Sequence, residues 1–141
     1  MSEVLCDIRA HDLVTDQHQV HVKGFVSPTN ARYLSNPLYQ YVQINLQENL
    51  LKSWLVSLFL SSIAKTVPKE LHPTYLVSSQ SVELVREPLG MTNKHVGYVY
   101  LVDENLKVRW AGCADAKVEE TRALETCAGV LLSRLDKAVS R

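Results

Sequence analysis

Residues 96–112, VGYVYLVDENLKVRWAG, constrain this chain more than any other stretch. Tyr98, Tyr100 and Val102 alternate with Val99 and Leu101, so a strand here carries apolar side chains on both faces. In the run that follows, Leu106, Val108 and Trp110 are expected on one face, with Lys107 and Arg109 on the other. Asp103, Glu104 and Asn105 are suited to a tight link between the two. The pattern predicts an antiparallel hairpin.

Two strings in that hairpin, Tyr-Leu-Val-Asp at 100–103 and Arg-Trp-Ala-Gly at 109–112, are followed by an acidic helix start. On them the chain resembles the mitochondrial ATP synthase assembly factors that chaperone the membrane-sector subunit a (subunit 6). The resemblance is strongest over 97–112 and covers about Tyr39 to Leu135. It implies a thioredoxin-like α/β fold, a three-layer α/β/α sandwich with a mixed sheet and a C-terminal hairpin and helix. It also implies a non-catalytic chaperone without cofactor or metal, whose partner is newly made subunit a. The place it implies is the matrix side of the mitochondrial inner membrane, with peripheral attachment.

The rest of the chain reads compatibly. Val4 to Ile8 predicts a short strand, and Thr15 and Asp16 are capping residues for a helix from about Gln17 to Phe25, although Gln19 to Lys23 also alternates like a strand. Ser27-Pro28-Thr29-Asn30 is expected to break that helix, and Asn36-Pro37 to close a loop. Leu38 to Leu46 alternates as a second strand. Asn45 and Glu48 resemble a capping box ahead of a helix from Leu50 to Ala64, in which Leu51, Trp54, Leu55, Leu58 and Phe59 recur at helical spacing. Lys52 and four serines interrupt it, and it falls short of the roughly 20 apolar residues of a membrane span. Tyr75 to Val77 reads as an edge strand and Ser81 to Arg86 as a helical turn. A final helix, with Asp115 as its expected cap, carries the stripe Leu124, Cys127, Ala128, Leu131, Leu135, Ala138. Strand, helix, strand, helix, hairpin, helix is the order of the thioredoxin-like fold, and 141 residues fit one domain over 1–141.

Composition removes several chemistries. Fifteen basic and fifteen acidic residues balance, so no global field favours nucleic acid, although a local basic face is compatible with the totals. Cys6, Cys113 and Cys127 have no C-x-x-C spacing and read as free thiols. Redox chemistry in this fold needs a low-pKa thiol at the start of the first helix, and residues 9–16 hold no cysteine. Lys94-His95-Val96 stands where a thioredoxin carries proline. His18 and His21 are three apart with His11 nearby, but no firm third ligand marks a zinc site.

The residues expected at a partner surface are Trp54 and Leu58 on the apolar helix, with Lys107, Arg109 and Trp110 on the second hairpin strand. The competing expectation is a thiol oxidoreductase acting through Cys113, which follows Gly112 at a strand end, or a generic interaction module of the same fold. The start, MSEVLCDIRA, carries Glu3 and Asp7 and lacks an Arg-rich amphipathic pattern. Members of the resembled family are longer, with a presequence and an extra N-terminal region. The chain is therefore expected to be a fragment, a shortened form or a diverged member.

Overall fold

Strand β1 (Glu3–Ala10) is followed by helix α1 (Asp16–Tyr33) and strand β2 (Tyr39–Leu46). Strand β3 (Tyr75–Ser78), the single turn α2 (Glu83–Arg86), the pair β4 (Gly97–Val102) and β5 (Val108–Cys113), and helix α3 (Val118–Val139) complete the order. The computed structural model describes residues 3–10, 16–46, 69, 75–78, 83–93 and 95–140. The expected helix from Leu50 to Ala64 lies outside the described residues.

The sheet order is β3-β2-β1-β4-β5. β1 runs parallel to β2, in register from Glu3 opposite Tyr39 to Ala10 opposite Leu46, and antiparallel to β4. Parallel neighbours need a crossover, and α1 supplies it. β3 extends the sheet parallel to β2 at the edge, as the short Tyr75 run predicts. This mixed sheet, with α1 and α3 on one face, is the thioredoxin-like arrangement.

The alternation in β4 sorts the core into two layers. Val99 and Leu101 are buried with Val22, Phe25 and Val26 of α1 and Leu124, Ala128, Leu131 and Leu132 of α3. On the opposite face Tyr98 and Tyr100 are buried with Met91, and their rings lie nearly parallel with centroids 6.3 Å apart. Both hydroxyls are engaged. Tyr100 Oη donates to the Leu89 carbonyl at 2.8 Å, and Tyr98 Oη accepts from the Asn93 amide at 2.8 Å. The segment after α2 is thereby tied to the sheet.

Two helix boundaries differ from the sequence expectation. Helix α1 does not stop near Phe25 but continues through Pro28 to Tyr33. An interior proline costs about 3 kcal/mol. Continuing past it buries Thr29 and sets Asn30 where its Oδ1 accepts the Tyr39 hydroxyl at 2.7 Å. Burial of Val22, Phe25 and Val26, at about 1.5–3 kcal/mol for each apolar side chain, holds the same face. Helix α3 starts two residues later than a cap at Asp115 would place it: Lys117 is the cap residue, and its amide donates to Glu120 Oε2 at 3.2 Å. Glu119 and Glu120 still occupy the first turn, favourably for the helix dipole. Of the expected stripe, Leu124, Ala128, Leu131 and Leu135 are buried and Cys127 is half-buried, whereas Ala138 is exposed.

Thr29 Oγ1 is fully buried with no hydrogen-bond partner among the described residues. A buried orphan hydroxyl is costly, and valine has the same shape without it. Thr29→Val is therefore expected to raise unfolding free energy by about 1 kcal/mol in urea titration.

Candidate functional site

The hairpin closes through a three-residue loop, Glu104-Asn105-Leu106. The Asp103 amide donates to the Lys107 carbonyl at 3.0 Å, and the Asp103 carbonyl accepts from the Leu106 amide at 2.9 Å. This is a turn whose last residue takes the left-handed conformation, a place normally given to glycine or asparagine. Here it is Leu106, at φ 61° and 84% exposed. A γ-branched side chain in that region costs about 1 kcal/mol or more, and its apolar surface is left in water. Something must hold it there.

The Asp103 carboxylate does so. It is 3% exposed and accepts three hydrogen bonds, with a further ion-pair contact to the same arginine. The amides of Asn105 and Lys107 each reach Oδ1 at 2.9 Å. Arg109 Nε donates to Oδ2 at 2.6 Å, and its second nitrogen lies 2.5 Å from the same oxygen. Both oxygens are thus engaged, one with the loop backbone and one with a guanidinium. The Lys107 amide, followed by Arg109 and the Asn105 amide, holds the Asp103 carboxyl below the usual carboxylate range, with burial opposing them.

Arg109 reaches back because it is a bulge residue. Leu101 lies opposite Trp110, but Val102 lies opposite Val108, leaving Arg109 without a partner in β4. The expected single face of Leu106, Val108 and Trp110 is therefore split. Val108 shares the Tyr100 side of the sheet with Val102, and Trp110 shares the helix side with Leu101. The expected cationic face is altered in the same way: Arg109 is neutralised by Asp103, while Lys107 stands exposed at the loop end.

Trp110 is half-buried and meets Phe25 edge-on, ring centroids 5.5 Å apart. Its ring lies across Gly112, where a Cβ would come within 2.4 Å of it. That explains the Arg-Trp-Ala-Gly string: the glycine makes room for the tryptophan to reach α1. Trp54 and Leu58 lie outside the described residues. Cys113 is exposed at the end of β5 and Cys127 is half-buried against the helix-side core.

These features fall inside a stretch shared with known proteins. The family model described as ATP10 protein matches residues 12–131. The chain belongs to this family. It is 40% identical over 103 residues to the mitochondrial ATPase complex subunit ATP10 of Saccharomyces cerevisiae, covering 71% of this chain and 37% of that protein. To the Candida glabrata protein of the same name it is 39% identical over 98 residues, 68% of this chain and 36% of that one. The matched part is thus little more than a third of these curated relatives' length. Among solved structures, a thiol:disulfide interchange protein DsbE from Chlorobium tepidum aligns with TM-score 0.57 at 21% identity, covering 93% of this chain and 80% of that one. A member of the Sco family of cytochrome c oxidase assembly proteins aligns at 0.50 and 13%, covering 91% and 81%. At such identities the likeness establishes the thioredoxin-like fold alone.

In this ATP10-family hairpin the exposed Leu106 and the buried Asp103 are the residues that sequence reading does not single out. The available signal was the spacing Asp103-Asn105-Lys107, in which one aspartate serves the amides two and four residues on. Because the folded carboxyl lies below its unfolded value near 3.9, its stabilisation is full above that pH and is lost as pH falls through the folded value. Asparagine would turn an amide N–H₂ toward donors. Asp103→Asn is therefore expected to lower Tm by several degrees at pH 7, with a difference from wild type that shrinks at acid pH, read by thermal melts across pH.

Proposed function

We propose that this chain acts without catalysis as an assembly factor of the mitochondrial ATP synthase. It works at the matrix side of the inner membrane, where it holds newly made subunit a until that subunit joins the membrane sector. Membership of the ATP10 family supports the assembly role, and the hairpin supports the manner. The observation that carries it is Leu106, an exposed apolar side chain kept in an unfavourable backbone conformation by a buried, fully bonded carboxylate. Strain retained at an exposed tip is characteristic of a contact site. Val108, itself 45% exposed, lies two residues on, and Lys107 stands between them. An apolar tip flanked by a cation suits a client that presents lipid-facing side chains beside a carboxylate. Trp110, which the sequence also marks for this surface, would act from behind, by fixing β5 on α1.

A thiol oxidoreductase reading has an exposed Cys113 in its favour. The half-buried Cys127 and the cysteine-free stretch 9–16 offer it no evident resolving partner in the usual place. Cys113→Ser should accordingly leave assembly unchanged.

The test is capture of pulse-labelled mitochondrial translation products on a tagged copy of the chain. Wild type is expected to recover subunit a transiently, with loss on chase. Leu106→Gly relieves the backbone strain, so it should raise stability by about 1 kcal/mol while lowering recovery. Recovery that is equal for Leu106→Gly and wild type would remove the hairpin tip from the contact.

A further inference from the structure

On the helix side of the fold, α1 and α3 leave an open groove of about 630 Å³. Its floor is built by a close approach. Gly129 lies in the middle of α3, where a Cβ would stand 2.6 Å from the Tyr33 hydroxyl oxygen. Glycine at a helix centre costs about 1 kcal/mol against alanine, and here it lets the Tyr33 ring lie against the helix.

The walls are basic. Arg32 comes from α1 and Arg122, Arg134 and Lys137 from α3, with Glu125 the one acid among the described lining residues. Arg32 pairs with Glu125 at 2.6 Å and lies 5.5 Å from the centre of the Tyr33 ring. The other three are exposed and have no ion-pair partner among the described residues. The groove therefore carries an excess of three positive charges on a chain whose net charge is zero.

We infer that this groove is a contact surface for anionic phospholipid headgroups. The spacing argues for a surface rather than a single ion. Arg122 and Lys137 are about 22 Å apart along the helix axis, too far for one phosphate to meet both. All three α3 cations nevertheless fall within about a third of the helix circumference, so a plane of phosphates can meet them together. Val130, 46% exposed, lies within the same arc and can enter the headgroup boundary, as apolar residues do on helices that lie along a membrane. Glu119, in the first turn, shares the arc but not the groove. Single-stranded nucleic acid is the weaker match. It wants free aromatic faces for stacking, and Tyr33, the groove's aromatic, has its ring engaged with Arg32 and packed over Gly129. The inference is independent of the client reading, since it uses neither the hairpin nor subunit a.

The test is co-flotation of the full chain with vesicles of phosphatidylcholine alone or mixed equally with phosphatidylglycerol. Binding is expected only to the mixed vesicles and should weaken with added salt. Each cation removed should lower partitioning about fivefold, so Arg134→Gln falls by that factor and the triple glutamine variant at 122, 134 and 137 roughly a hundredfold. Lys23→Gln, an exposed lysine of α1 outside the groove, should bind as wild type. Equal urea midpoints for all variants exclude unfolding as the cause. Undiminished flotation of the triple variant overturns the inference, as does binding that ignores anionic lipid. Displacement by inorganic phosphate beyond that by chloride of equal ionic strength would instead mark a discrete phosphate site. A single-stranded oligonucleotide bound through the same residues, with no vesicle binding, would assign the groove to nucleic acid.

Discussion

A single buried carboxylate governs the hairpin, which lies within the stretch matched to the family. Asp103 offers one oxygen to two loop amides and the other to a guanidinium, so the turn and the second strand are fixed by the same group. A bulge at Arg109 is what turns its side chain back toward Asp103. The same bulge leaves Val108 on one side of the sheet and Trp110 on the other. Removing the aspartate would leave an unpaired arginine and two unsatisfied amides at one place. Its consequences would therefore reach beyond the loop to the strand that follows.

From that strand the constraint passes into the core. Trp110 crosses Gly112 to meet Phe25, and Phe25 belongs to the stretch of α1 that packs against α3 and β4. The opposite face is held differently, by two tyrosines whose rings stack and whose hydroxyls bind the segment after α2. One face is thus closed by apolar packing of helices, and the other by aromatic rings with polar tips. The chain presents two contrasting surfaces as a result: an apolar loop tip at the hairpin, and a basic groove between α1 and α3.

The strands and the last helix were legible because their signals are periodic. The alternation at 98–102 marked a strand apolar on both faces, and the leucine stripe marked the packing face of α3. What escaped was everything that depends on a distant partner. A proline in mid-helix reads as a stop unless the burial of Thr29 and the bond from Tyr39 to Asn30 are known. An aspartate in a turn reads as solvated, and the two loop amides together with the arginine six residues on make its burial tolerable. A one-residue bulge leaves the alternation of letters intact while reversing a face. The basic groove joins residues from two helices far apart in sequence, so no local pattern announces it.

In the proposed function, Asp103 holds an apolar side chain outward at position 106 for a membrane-protein client. That role is tested most directly by placing a photo-reactive amino acid at Leu106 and irradiating mitochondria during synthesis of their own translation products. The expected result is a crosslink to newly made subunit a that is weakened when Asp103 is also replaced. A crosslink that is absent at 106 but strong from a position on the helix face would contradict it.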